Sequence, residues 1–349
     1  GVVRPWSEFG LPLSERTLPQ ALREAGYTTA LIGKWHLGHA NRQYLPTARG
    51  FDRQYGLYNG AIDYYTHVRD GGLDWHRDDH ADTEQGYSTH LLVREAVRYI
   101  ETYDGKKPFF LDVAFNAPHQ PLQVPDSYTE PYAALKMPRR TYAGMVAAMD
   151  EGVGKILAAL DAKGLRDSTL IVFSSDNGGL NPGVLSSNGP LRDGKGSLYE
   201  GGVRVPALVS WKGHIKAGAV TDVPMHMVDW FPTLVTLAGG SLKQAHPLDG
   251  RDVWSTITEG RPSPHSEVLL NATPEAGAIR VGDWKFVLNG SITIDEGGGG
   301  RAGGAANRPP GGVGPGGVTA LGLSAEAAGG SPQGESGRKK PGQPDLIEL

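Results

Sequence analysis

Short apolar runs along this chain alternate with amphipathic stretches of helical period, and each run empties into a polar cluster. Residues 28–33 lead into Lys34, Trp35 and His36. Residues 109–116 lead into Ala117, Pro118 and His119. Residues 169–174 lead into Ser175, Asp176, Asn177, Gly178 and Gly179. Runs this short, bounded by Gly and Pro, read as buried strands, the third as a fully buried one. Between them lie helical patterns. Thr17 can cap a short helix with Gln20 as its capping-box partner, placing Leu18, Leu22 and Ala25 on one face before Gly26 ends it. Residues 87–103 put Leu91, Leu92, Ala96 and Ile100 together. Residues 142–162 put Met145, Met149, Val153, Ile156, Leu157 and Leu160 at 3–4 spacing. This alternation predicts an α/β fold with βαβ units and a mostly parallel sheet. Residues 205–211 form a further apolar run, and Asp229 is placed to cap a helix reaching to about Ala238. From Glu267 the pattern changes: residues 268–270, 278–281 and 284–288 are short and close together, as in an antiparallel sheet. Residues 40–86 read as loop-rich, with many aromatics and an exposed charged patch at 74–82.

Ligands of open α/β sheets sit beyond the carboxyl ends of the strands. Three strands that deliver Lys34, His36, His119, Asp176 and Asn177 to such an edge therefore predict one site, for an oxygen-rich anion beside a hard cation. Asp176 and Asn177 alone read more readily as an Asx turn; with a buried strand leading in and cationic residues at the other strand ends, a carboxylate and an amide oxygen on a glycine-supported turn suit Ca²⁺ or Mg²⁺. Alternation past the strand end would put Lys34 and His36 on one side, with Trp35 facing away; taken in isolation they are a surface lysine and a packed histidine. His119 lies between Pro118 and Pro121, where a packing role is as good a reading on local sequence. Lys195 lies in a glycine-dense loop, residues 189–202, suited to an oxyanion; the Gly-x4-Gly-Lys-Ser/Thr order of a Walker A loop is not met. His76, Asp78, Asp79 and His80 lack a ligand-like framework and read as a charged loop.

Composition narrows this further. The 349 residues suggest one large domain plus a smaller one, and a net charge of −4 argues against a general nucleic-acid binder. With no cysteine, disulfides, thiolate zinc sites and cysteine nucleophiles drop out. No apolar stretch approaches the roughly 18 residues of a membrane span. The first residue is Gly and no leader pattern follows, so a processed or partial chain is expected. Residues 291–345 are rich in Gly, Pro and Ala and are expected to be disordered, with strand character returning only at the last residues.

The ordered segments Glu24-Ala25-Gly26-Tyr27-Thr28-Thr29, Gly33-Lys34-Trp35-His36-Leu37-Gly38, Leu45-Pro46-Thr47, Arg49-Gly50-Phe51-Asp52 and Asp63-Tyr64-Tyr65 are followed by His119-Gln120-Pro121, Asp176-Asn177-Gly178-Gly179 and Leu198-Tyr199-Glu200-Gly201-Gly202-Val203-Arg204. Together they resemble the sulfatase family, most closely its arylsulfatase B (N-acetylgalactosamine-4-sulfatase) branch, over roughly residues 15–290. The resemblance implies an alkaline-phosphatase-like fold, with a catalytic domain over residues 1–262, part of a small-sheet subdomain over 263–290, an insertion over 291–345 and the start of a strand at 346–349. It implies hydrolysis of sulfate esters, of carbohydrates in particular, with Ca²⁺ on Asp176 and Asn177. Lys34, His36, His119 and Lys195 would bind sulfate and assist proton transfer, and aromatics of residues 55–65 would touch the sugar. The family's nucleophile is a formylglycine made in a Cys/Ser-x-Pro-x-Arg motif. That motif is absent from this sequence, so the chain alone is expected to be inactive. The rival expectations are a phosphodiesterase or phosphonate hydrolase of the same fold, and an inactive protein that binds anions or glycans. Lysosomal, secreted or periplasmic location is the compartment the resemblance implies.

Overall fold

The computed structural model describes residues 2–180, 182–271, 273, 275–290 and 345–348. In chain order the elements are α1 (Leu18–Glu24), β1 (Thr28–Lys34), β2 (Arg53–Leu57), the two-residue strands β3 (Val68–Arg69), β4 (Gly72–Leu73), β5 (His76–Arg77) and β6 (His80–Ala81), then α2 (Ser88–Glu101), β7 (Phe109–Ala114), α3 (Arg139–Ala162) and β8 (Ile171–Ser174). There follow α4 (Glu200–Val203), β9 (Ala207–Ser210), α5 (Trp230–Leu237), α6 (Trp254–Glu259), β10 (Glu267–Leu270), β11 (Gly277–Val281), β12 (Trp284–Leu288) and β13 (Asp345–Glu348). Two compact units result: Gly1–Val172 with Val209–Pro264, and Phe173–Leu208 with His265–Leu349.

The first unit is organised by a mixed sheet in the order β6-β5-β2-β1-β7. Strand β1 runs parallel to both β2 and β7, with Ile32 opposite Tyr55 and Val113. Because strand side chains alternate, the sheet has two apolar faces. Ile32, Tyr55, Leu57, Leu111 and Val113 pack with Leu91, Leu92 and Ala96 of α2. Leu31, Phe110 and Ala114 pack with Trp35, Leu45, Phe51 and Tyr58. Each fully buried Leu or Ile contributes about 1.5–3 kcal/mol, so the central strands are held from both sides. Helix α3 lies on α2, where Ile100, Ala159 and Leu160 form a further cluster. The capping box expected at Thr17 is present, with Gln20 N donating to Thr17 Oγ1 at 3.3 Å and Thr17 N to Gln20 Oε1 at 2.9 Å.

One glycine decides whether β1 and β7 can meet. Gly33 has φ +131°, and a Cβ there would lie 1.9 Å from the Ala114 carbonyl oxygen. No side chain fits between the strands at that point.

Four local expectations are corrected. Strand β2 lies within residues 40–86, expected to be loop-rich; its Arg53-Gln54-Tyr55-Gly56-Leu57 has little strand character of its own and becomes a strand by pairing with β1. The 74–82 patch is a short hairpin, not an exposed loop. Asp74, 5% exposed, accepts the amides of Tyr58 at 3.0 Å and Asn59 at 2.8 Å, so its charge is used in binding backbone. Strand β8, expected to be fully buried, is half-buried and pairs with β9 in a two-stranded sheet. Asp229 is buried but does not cap α5; its carboxylate accepts the amides of His226 at 2.6 Å and Arg251 at 2.9 Å instead.

The second unit holds the antiparallel sheet β10-β11-β12-β13. Leu198, Tyr199, Ala278 and Val287 make its core. The disorder expected over residues 291–345 falls on 291–344, outside the described residues, and on Asp345, which opens β13. Among the described residues no helix is long and apolar enough to cross a membrane.

Candidate functional site

In the first unit, β1 ends at Lys34, which is half-buried and opposite Leu57. The ladder continues one step beyond the strand, with Trp35 N donating to Leu57 O and His36 N to Tyr58 O, both at 2.9 Å. Trp35 is buried, and its indole N–H reaches the carbonyl oxygens of Tyr44 at 2.8 Å and Gly38 at 3.1 Å, which fixes the turn. His36 takes a left-handed backbone, φ +58°, so the extended alternation expected through it stops at Trp35. Its imidazole Nε2 is 2.8 Å from Val3 O.

His119 follows the adjacent strand β7. Its amide donates to Asn116 O at 2.9 Å, and its Nδ1 is 2.7 Å from Gln120 O. Tyr64, which is buried, holds this turn from outside. Its hydroxyl donates between Asn116 O at 2.9 Å and His119 O at 2.8 Å. Tyr64 is held in turn by Gln123, whose Oε1 accepts the Tyr64 amide at 2.8 Å while its Nε2 donates to Asp63 Oδ2 at 2.6 Å. Burial pushes the Asp63 carboxyl up, but the Thr66 and Tyr65 amides and Gln123 outweigh it and bring it down to about 2. Asn116 is buried and donates from Nδ2 to Ser88 Oγ at 3.2 Å.

Lys34 thus closes β1, His36 lies two residues beyond it, and His119 lies five residues beyond the neighbouring parallel strand β7. Such an edge offers an ammonium and two imidazoles, which together can hold an anion and move a proton. The aromatic segment expected to touch a sugar faces mostly inward: Tyr55, Tyr58 and Tyr64 are buried, and Tyr65 is 40% exposed. Tyr64, Asn116 and Gln123 were not legible as supports of the His119 turn. The one local signal was Asp63, an Asx-turn former two residues before Tyr65.

In the second unit, the turn at residues 175–179 and the glycine-dense loop are laced together by backbone. Gly178 N donates to Gly202 O at 2.9 Å, and Lys195 N to Gly179 O at 3.2 Å. Asn188 bridges both, with Oδ1 accepting Gly179 N at 2.9 Å and Nδ2 donating to Asp193 O at 2.8 Å. A Cβ on Gly178 would lie 1.7 Å from Gly201 O, so the approach requires glycine. Asp176, Asn177 and Lys195 therefore stand on adjoining backbone. Asp176 is exposed, Asn177 and Lys195 are half-buried, and Ser175 Oγ donates to Asn177 O at 2.8 Å.

Asp176 and Asn177 offer three side-chain oxygens between them, where calcium takes six to eight. Among the described residues no group of three or more His, Asp or Glu is placed to hold a metal ion. These residues do not make a calcium site by themselves.

Residues 1–241 match the sulfatase family. Arylsulfatase J of Mus musculus is 40% identical over 292 residues, 81% of this chain and 49% of that protein. N-acetylgalactosamine-6-sulfatase of Mus musculus is 34% identical over 268 residues, 72% of this chain and 50% of that protein. The chain thus spans about half the length of these curated relatives. The crystal structure of Ps i-CgsB in complex with k-i-k-neocarrahexaose aligns with a TM-score of 0.76 at 35% identity, covering 81% of this chain and 67% of that one. The mixed sheet flanked by helices and the small antiparallel sheet are the alkaline-phosphatase-like fold of such enzymes. Lys34, His36, His119, Asp176, Asn177 and Lys195 all fall within the matched 241 residues, and with the fold and the matching sequence in agreement, this chain belongs to the sulfatase family.

Proposed function

We propose that this chain carries the anion-holding part of a sulfuric ester hydrolase acting on sulfated carbohydrates. The observation that carries the reading is the placement of Lys34, His36 and His119 at neighbouring strand ends in a chain of sulfatase sequence. The carbohydrate class is supported by the relatives, one named for N-acetylgalactosamine-6-sulfate and one solved with an oligosaccharide.

In this reading Lys34, at the end of β1, offsets charge on sulfuryl oxygens; the like role given to Lys195 is supported by its place in the glycine-dense loop of the matched sequence. His36 holds an oxygen, and His119 gives a proton to the departing alcohol. Asp176 and Asn177 would supply part of the ligand set of a calcium ion, which would need further oxygens. Formylglycine supplies the nucleophile in the family's chemistry, but these 349 residues contain no cysteine and no Ser-x-Pro-x-Arg, so none of them fits that role.

Titration of the 349-residue chain with inorganic sulfate tests the reading. Binding is expected, and Lys34→Met is expected to weaken it about ten-fold, as for loss of one charge-assisted hydrogen bond. No detectable binding, or binding indifferent to both Lys34→Met and Lys195→Met, overturns it. On a chromogenic aryl sulfate with calcium the chain alone is expected to show no turnover. Reproducible turnover that disappears in Lys195→Ala would show that expectation wrong.

A further inference from the structure

Strand β12 carries a charge where its pattern calls for an apolar residue. Alternation along Trp284–Leu288 turns Lys285 and Val287 inward and leaves Trp284 and Phe286 exposed. Lys285 is 0% exposed. Its Nζ donates to Glu200 Oε1 at 2.6 Å, and Glu200 Oε2 lies 3.9 Å from Arg280 Nη1 on β11. Glu200 opens α4, five residues after Lys195. The same stretch is tied to the sheet at other points. Leu198 N donates to Gly290 O at 2.6 Å, and Leu198 and Tyr199 pack on Ala278 and Val287. Within the loop, Gly201 N donates to Arg192 O at 2.7 Å and Ser197 N to Gly194 O at 3.0 Å.

We infer that the Glu200–Lys285 ion pair is a clamp that fixes the Lys195 loop in place, making both its members positioning residues. This rests on the reading of Lys195 as a sulfate contact. The physical case is one of geometry. A buried ion pair stabilises a protein no better than two well-packed apolar side chains, because desolvation offsets its Coulomb attraction. What it adds is direction: an ammonium seeks a carboxylate oxygen at one distance, whereas an apolar contact tolerates sliding. The clamp acts on a loop with glycines at 194, 196, 201 and 202, which have no side chain to pack and much backbone freedom to lose. Asn188 and the Gly179 carbonyl hold the loop at one end, and Glu200 with Gly290 hold it at the other. Lys195 lies between them.

Amide hydrogen exchange on the full chain reads the clamp directly. In Lys285→Met, exchange over residues 194–202 is expected to rise about ten-fold, the worth of one charge-assisted hydrogen bond, while that of α3 stays unchanged. Lys285→Arg is expected to restore protection. The paired variant Lys285→Met with Glu200→Leu guards against simple unfolding, since it removes both fully paired charges and leaves only Arg280, which is 21% exposed and can turn to solvent; it is expected to remain folded with the loop still loosened. Unchanged exchange over residues 194–202 in both the single and the paired variant overturns the clamp. Titration with inorganic sulfate separates this from the underlying reading. Weaker sulfate binding alongside a loosened loop supports both. A loosened loop with unaltered sulfate affinity supports the clamp and overturns the role given to Lys195.

Discussion

One hydroxyl group braces the His119 turn from a distant part of the chain. Tyr64 has its Oη between the carbonyl oxygens of Asn116 and His119; in Tyr64→Phe, Asn116 O keeps the His119 amide as donor while His119 O loses the hydroxyl. The expected cost is about 1–3 kcal/mol, measurable as a lower midpoint in chemical denaturation with an unchanged slope. Two carboxyls give opposite pH behaviour. Burial on β7 pushes Asp112 up to about 6 from an ordinary 3.8. The folded state then binds its proton more tightly than the unfolded chain does. Its contribution is full below the unfolded value and is lost as pH rises through 6. Asp63, held down to about 2, contributes above 3.8 and loses that contribution as pH falls toward 2. Asp112→Asn is therefore expected to flatten the decline in stability between about pH 4 and 6, by no more than ~2 kcal/mol given partial exposure, and to leave the acid limb intact. Denaturation midpoints across that range check it; a variant with the same slope as the parent contradicts it. At this scale the sequence was legible where partners are near. Thr17 and Gln20 are three residues apart and the capping box could be read off. Tyr64 and His119 are 55 apart, and no periodicity links them.

Elements were legible wherever the apolar run was long enough to outweigh its neighbours. Strands β1 and β7 and helices α2 and α3 emerge within a few residues of the expected bounds. Strand β2 was missed because its strand character comes from β1 beside it, and α6 because six residues carry too little pattern. Asp229 was read as a cap of α5 from position alone; its side chain instead closes a capping box with the amide of His226, three residues before it, and accepts the distant amide of Arg251. The β1–β7 junction is the element-scale weak point. Gly33→Ala places a methyl against the Ala114 carbonyl at an unfavourable φ, and the strands must separate. A loss of about 2–4 kcal/mol is expected from overpacking and backbone strain together. Thermal melting followed by circular dichroism checks this; a melting point within a degree of the parent would contradict it.

For the whole molecule, the order of the motifs from Gly33-Lys34-Trp35-His36 to Leu198-Tyr199-Glu200 made the family legible before any coordinates, and the fold bears that out. What single-strand reasoning did not show is how the chain is shared between units. It leaves the first unit after Val172, returns at Val209 and leaves again after Pro264. The second unit is thus written in two separate pieces. A protein terminated after Pro264 still contains Asp176, Asn177, Lys195 and Glu200, but lacks Lys285 and Gly290, to which the loop is fastened. Such a truncation is expected to keep α2 and α3 protected from hydrogen exchange while residues 194–202 become fully exchangeable. For a geneticist, a stop codon between Pro264 and Lys285 is then no trimming of a dispensable tail. It would disable a segment already translated in full.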